Sequence, residues 1–139
     1  MESTGLIFIG LVDDTPPLRD ITANLLTEKG FSIVFQVLNG AEALQRMEES
    51  KKQPDVCIIE EDFEAANLLL TEHPDLKVLI SSTNDNKEKV SDMLNIGVSG
   101  YILKYADPDE FSTAVVALSK GKKYFSVGVS DIAAEYFSN

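Results

Sequence analysis

The chain of 139 residues is 44% hydrophobic and 25% charged, a composition that fits one folded domain and excludes a disordered chain. Its 23 Asp and Glu residues outnumber 12 Lys and Arg residues, and the net charge of -11 argues against direct contact with nucleic acid or an anionic membrane surface. A single cysteine, Cys57, excludes an internal disulfide, and the acidic N-terminal segment lacks the basic start of a signal peptide. We therefore expect a cytoplasmic protein.

Five apolar runs, each bounded by polar residues, follow one another along the chain and predict strands buried on both faces. They cover residues 6–12, 31–37, 56–59, 78–80 and 101–103. Segments with helical spacing of apolar residues separate the runs, and several of them end at a glycine such as Gly30, Gly97 or Gly121. Asp107 and Pro108 suit the N-cap and the first residue of the fifth helix. This alternation predicts an α/β domain, a doubly wound parallel sheet with helices on both faces.

Polar side chains follow four of the predicted strands, and the carboxyl ends of parallel strands meet at one edge of a sheet. They are Asp13 and Asp14 after the first strand, Glu60 and Glu61 after the third, Ser81, Ser82 and Thr83 at the fourth, and Lys104 after the fifth. Ligands of doubly wound sheets bind at this edge. Carboxylates suit Mg²⁺, a hydroxyl can hold a phosphoryl oxygen, and lysine supplies a positive charge. The set is what metal-assisted phosphoryl transfer needs.

The segments LVDDTPPLRDITANLL, NGAEAL, PDVCII, KVLISST and GVSGYILKYADPDEF occur in this order along the chain. Together they resemble the receiver domain of bacterial two-component response regulators over residues 5–125. The residues around Lys104 and the later segment GKKYFS are most similar to the subfamily in which a helix-turn-helix DNA-binding domain follows the receiver. The resemblance implies a flavodoxin-like sheet of five parallel strands, in the order 2-1-3-4-5, and a role in phosphorelay signal transduction.

The resemblance also implies roles for five residues that match the family's motifs. Asp13 and Asp14 match the acidic pair that holds Mg²⁺. Ser82 matches the hydroxyl residue that senses the phosphoryl group, and Lys104 matches the lysine that pairs with that group. Tyr101 matches the aromatic residue that swings between exposed and buried positions on activation.

The match fails at the phosphate-accepting aspartate, because this chain has Glu60 at that position. Between Glu60 and the HP pair at residues 73–74 the chain is also about half a dozen residues shorter than the family pattern. An extra methylene displaces the carboxylate, and in-line attack tolerates little displacement. Our hypothesis is a degenerate receiver, which keeps the fold and acts by protein-protein interaction while phosphate control and Mg²⁺ binding are weakened or lost.

Two other functions stay open at this point. One is a working Mg²⁺-dependent phosphoacceptor that uses Glu60 or Asp62 and controls a DNA-binding output. The other is a domain that binds a flavin or another small anion, although DDTPP stands where a glycine-rich or hydroxyl-rich loop would be needed.

The site residues also have plainer structural explanations. Asp13 and Asp14 could favour the start of a helix, and Glu61 and Asp62 could begin the third helix. The hydroxyl of Ser82 could satisfy local backbone groups, with Thr83 beside it as an alternative in a shifted register. Tyr101 could be a half-buried strand residue and Lys104 a solvated one.

We expect residues 1–125 to form the receiver-like domain and residues 126–139 to form a C-terminal extension. The extension is either a short amphipathic helix from Ser130 or a linker to an output domain absent from this chain. The expected partners are proteins, namely a sensor histidine kinase or an output domain. A homodimer through the fourth helix, fifth strand and fifth helix is plausible. Beyond catalysis of its own phosphorylation, no enzyme activity is expected.

Overall fold

The computed structural model describes residues 6–50, 52–104 and 108–138 of the chain. Its strands form one sheet in the order β2-β1-β3-β4-β5-β6, and every neighbouring pair is parallel. The strands are β1 Phe8–Val12, β2 Ser32–Val37, β3 Val56–Glu60, β4 Val78–Ser82, β5 Gly100–Leu103 and β6 Tyr124–Phe125. The helices are α1 Pro16–Glu28, α2 Gly40–Glu49, α3 Phe63–Glu72, α4 Lys87–Asn95, α5 Pro108–Ser119 and α6 Val127–Ser138.

The predicted doubly wound fold and the order 2-1-3-4-5 are confirmed, but the strand count was too low by one. The missed strand β6 extends the sheet beyond β5, where it pairs Tyr124 with Gly100 and Phe125 with Tyr101. A strand of two residues is too short to show a periodic pattern. The helix expected from Ser130 begins three residues earlier, as α6. Helix α5 begins at Pro108, whereas its predicted N-cap, Asp107, lies outside the described residues.

Alternation along the central strands divides the core into two layers, one on each face of the sheet. On one face, Cys57 and Ile59 of β3 pack with α2, α3, α4 and α6. On the other face, Val56 and Ile58 of the same strand pack with α1 and α5. Such burial on both sides explains why the strand sequences are continuously apolar. No helix within the described residues is long and apolar enough to cross a membrane.

One glycine is required by the close approach of β2 to β1. A Cβ atom built on Gly10 would lie 2.3 Å from Cζ of Phe35, a buried residue of β2. The register of the β1–β2 pair shifts between Ile9 and Gly10, at the same place. The phenyl ring therefore occupies the space above the glycine, and a side chain there would displace it.

Helix α6 packs against α4 at the end of the sheet. The Tyr136 hydroxyl donates a hydrogen bond of 2.7 Å to Oδ1 of Asn95, and the Lys87 ammonium lies 2.6 Å from Oε1 of Glu135. Val129 is buried in the same contact. The side chains that follow β6 thus cover part of α4, which the sequence had suggested as a dimer surface.

Candidate functional site

Two aspartates directly after β1 shape the first edge of the site. The backbone N–H of Thr15 donates to Oδ1 of Asp13 at 2.9 Å, and the Thr15 hydroxyl donates to Oδ1 of Asp14 at 3.2 Å. Thr15 is the N-cap of α1, yet its own side chain makes no capping hydrogen bond. The aspartates therefore order the turn into the helix, and Asp14 remains exposed to solvent.

Glu60 and Lys104 form an ion pair across the sheet. Glu60 is the last residue of β3, Lys104 follows β5, and the Lys104 ammonium contacts Oε1 of Glu60. The Glu60 side chain is only 11% exposed, and that of Lys104 is 34% exposed. Oε1 of Glu60 is buried and has no other partner among the described residues, so the Lys104 ammonium is the group that neutralises it.

The connection from β3 to α3 is only two residues long. Glu61 has a φ of 40°, in the left-handed region, and its N–H donates to the Ser81 carbonyl at 2.9 Å. Asp62 is the N-cap of α3, where its Oδ1 accepts from the Ala65 N–H at 2.9 Å. The longer loop of the family pattern is therefore absent, as the sequence indicated. Glu61, in a strained conformation, and Asp62, the cap of α3, make the connection instead.

Acidic side chains dominate a cavity of about 280 Å³ at this edge of the sheet. Its polar lining comprises Asp13, Asp14, Thr15, Glu60, Glu61, Asp62 and Lys104. Despite this composition, no three Asp, Glu, His or Cys side chains among the described residues come close enough to hold one metal ion. The donor set has the right chemistry for Mg²⁺, but its geometry does not fit a three-ligand site.

The other two predicted site residues, Ser82 and Tyr101, lie in a neighbouring cavity of about 650 Å³ between α3 and α4. The Ser82 hydroxyl accepts a hydrogen bond from the Asn84 N–H at 2.9 Å, the local role that the sequence left open. Tyr101 is 2% exposed, and its hydroxyl donates to the Asn84 carbonyl at 2.5 Å. The pKa of Tyr101 is raised, mainly by burial and further by the carboxylates of Glu61 and Asp85, while the nearby Ser82 hydroxyl lowers it in part.

Sequence reasoning missed one charged residue beside the ion pair, Arg19 of α1. Its Nη1 donates to the Asp13 carbonyl at 3.3 Å, and its side chain lines a cavity together with Glu60, Ser81 and Lys104. The available signal was the position of an arginine next to the apolar residues Leu18 and Ile21 of the first helix. Periodicity alone did not show which way its guanidinium points.

Comparison with known proteins identifies the family to which this fold and site belong. The family model described as response regulator receiver domain matches residues 9–116. The chain therefore belongs to the response regulator receiver domain family, whose members act in two-component signalling. The resemblance derived from the sequence is confirmed, including its link to regulators with a helix-turn-helix output.

Individual relatives are named as a transcriptional regulatory protein and a response regulator. The chain is 31% identical over 138 residues to the transcriptional regulatory protein DegU of Brevibacillus brevis, covering 94% of this chain and 58% of that protein. It is 30% identical over 128 residues to the response regulator GacA of Pseudomonas viridiflava, covering 87% of this chain and 59% of that protein. The chain thus spans less than two thirds of the length of these curated relatives.

Solved structures share the fold. A two-component response regulator of the LuxR family from Aurantimonas sp. SI85-9A1 superposes with a TM-score of 0.85 at 23% identity, covering 97% of this chain and 100% of that one. The isolated receiver domain of RcsB from Salmonella enterica serovar Typhimurium, in its apo form, gives a TM-score of 0.81 at 20% identity, covering 92% and 98%.

Proposed function

We propose that this chain is a degenerate receiver, a signalling module that works through protein contacts while phosphate control is weakened or lost. The observation that carries the proposal is the ion pair between Glu60 and Lys104. The lysine that would pair with a phosphoryl group is already engaged by a carboxylate of the chain itself. The pair imitates a charged acceptor only in part, since a carboxylate lacks the charge and the oxygens of an acyl phosphate.

The geometry around Glu60 supports the loss of phosphoryl transfer. Glutamate extends the carboxylate by about 1.5 Å relative to aspartate. A misplacement of about 1 Å can cost on the order of 100-fold in rate. The two-residue turn through Glu61 and Asp62 leaves little freedom to compensate, because Asp62 is committed to capping α3. Either feature alone would slow attack on a phosphodonor.

Mg²⁺ binding is proposed to be weak or lost for a related reason. Receiver domains typically bind Mg²⁺ at the phosphorylation site. In this chain the residues that match their acidic pair are Asp13 and Asp14. In this chain Glu60 lies against Lys104, and no three acidic side chains in the described part of the chain come close enough to hold one metal ion.

The proposed partners are proteins of a bacterial two-component pathway, a histidine kinase or an output domain. The name of the DegU relative suggests that the pathway regulates transcription. The face formed by α4, β5 and α5 remains the proposed homodimer surface. Because α6 covers part of α4, a partner at this face would have to bind α6 as well or displace it.

The test is binding of the phosphoryl mimic beryllofluoride with Mg²⁺, followed by amide chemical shifts. For the unaltered chain we expect no saturable shifts at Glu60, Ser82 or Lys104. The matched variant Glu60→Asp restores the shorter carboxylate and shows whether the pocket is otherwise competent. Saturable binding of beryllofluoride and Mg²⁺ by the unaltered chain, with shifts at these residues, would contradict the proposal.

A further inference from the structure

A cavity of about 310 Å³ lies on the α1 and α5 side of the sheet, next to the acidic cavity described above, and the two share Val12, Asp13, Glu60 and Lys104. Its walls are mainly apolar, and they are formed by Leu11, Leu18, Ile21, Leu25, Ile58 and Phe111. Its polar lining consists of Asp13, Arg19, Thr22, Ser81 and the ion pair of Glu60 and Lys104. A mainly apolar cavity of this size with a few charged groups in its lining has the usual form of a small-molecule site.

Arg19 is the charged group in this cavity whose interactions are incomplete. Its Nη1 donates to the Asp13 carbonyl, but its Nε is buried and has no hydrogen-bond partner among the described residues. Within the same residues the guanidinium forms no ion pair, whereas Lys104 is neutralised by Glu60. A buried donor on a cation without a counter-charge is unfavourable. An anion in the cavity that accepts from the guanidinium would supply the missing counter-charge.

The cavity mouth indicates what the rest of the ligand would be. Leu18 is 47% exposed and Ile21 is 64% exposed, so the first helix presents apolar surface beside the arginine. A guanidinium binds planar carboxylates through paired hydrogen bonds. The net charge of -11 makes a multiply charged anion a poor ligand, because the protein as a whole would repel it.

We infer that this cavity binds a small monoanionic carboxylic acid with an apolar body, its carboxylate on Arg19 and its body against Leu18, Ile21 and Phe111. The ligand would lie next to the Glu60–Lys104 pair, where phosphorylation acts in other receivers. A site in this position would let an organic acid, rather than a phosphoryl group, alter the state of the pair. This binding site goes beyond the proposed loss of phosphate control and does not depend on it.

The experiment uses octanoate as the probe and the whole chain labelled for amide chemical-shift titration. We expect saturable shifts at Leu11, Arg19 and Thr22, with a Kd in the millimolar range, about 1 mM, or tighter. Octanamide has the same body without the charge and should bind at least about tenfold more weakly, since a charge-assisted hydrogen bond is lost.

Variants assign the effect to one arginine. Arg19→Gln should weaken octanoate binding at least about tenfold, because the guanidinium fork is gone while a polar side chain remains. Arg46→Gln changes the charge equally on the exposed surface of α2 and should leave the affinity unchanged. Equal binding of octanoate and octanamide, unaltered affinity in Arg19→Gln, or the absence of saturable shifts at these amides would overturn the inference.

Discussion

The Lys104 ammonium lies against a carboxylate oxygen of Glu60 that is otherwise shielded from solvent. Glu60 is the last residue of β3, and Lys104 directly follows β5. Strand β4 lies between these two strands in the sheet. The pair therefore links the ends of β3 and β5 across β4, at the edge where a receiver would be phosphorylated. Its energetic role can be measured separately from any signalling role.

Removal of the lysine should destabilise the fold because it leaves a mostly buried carboxylate without a counter-charge. We expect Lys104→Met to lower the free energy of unfolding by about 2 kcal/mol, less than for a fully buried pair, because Lys104 is partly exposed. Urea unfolding at pH 7 measures the change. The double variant Glu60→Gln/Lys104→Met should recover much of the loss, and strictly additive effects would show that the pair is not coupled.

The left-handed turn at Glu61 should be relieved by glycine. Glu61 has a φ of 40°, which glycine adopts without strain. We therefore expect Glu61→Gly to raise the free energy of unfolding by about 0.5 kcal/mol, after the greater entropy of the unfolded glycine chain is subtracted. Glu61→Val should lower it by about 1 kcal/mol or more, since β-branched residues avoid this region. Thermal unfolding ranks the variants. As a control, Glu64→Gly in the first turn of α3 should destabilise, and stabilisation by both glycines would count against a strain effect.

Because β1 and β2 approach closely at Gly10, one methyl group added there should strongly lower the free energy of unfolding. Gly10→Ala would place Cβ within 2.3 Å of the Phe35 ring, so we expect a loss of about 1 to 3 kcal/mol in unfolding free energy. Denaturant unfolding measures it. Phe35→Leu in the same chain should reduce the cost of the alanine, because the smaller side chain leaves room for it. An alanine variant as stable as the parent would mean that the ring moves freely.

Stability should fall at alkaline pH because of Cys57. Burial raises the pKa of this thiol from 9.0 to about 12, so the folded state keeps the proton that the unfolded state releases. The contribution of the buried thiol to the free energy of unfolding is fully present below pH 9. It declines by about 1.4 kcal/mol per pH unit as the pH rises toward 12. Unfolding of the parent and of Cys57→Ala across this range isolates the effect, since other groups titrate equally in both. Parallel curves would contradict the assignment.

The central sheet was predictable because β1, β3 and β4 are buried on both faces and therefore read as continuous apolar runs. Strand β6 was not predictable, because only backbone hydrogen bonds to and around the distant strand β5 define it, and it is two residues long. The Tyr124 N–H donates to the Ser99 carbonyl at 3.2 Å, and the Ser126 N–H donates to the Tyr101 carbonyl at 3.1 Å. Neither contact leaves a local pattern in the sequence.

The site was predictable where it depends on strand ends alone. Asp13, Asp14, Glu60 and Lys104 line one cavity, as parallel strands require. Ser82 does not join them, because alternation along β4 turns its side chain toward α3 and α4. The direction of Arg19 depends on how α1 packs, which no single segment encodes.

Phosphorylation stoichiometry tests the degenerate receiver most directly. The intact mass of the chain would be measured after incubation with Mg²⁺ and a small-molecule phosphodonor, beside Glu60→Asp treated in the same way. We predict that the unaltered chain gains no phosphoryl group, whether or not the aspartate variant does. Stoichiometric addition of one phosphoryl group to Glu60 would contradict the account and identify a working phosphoswitch.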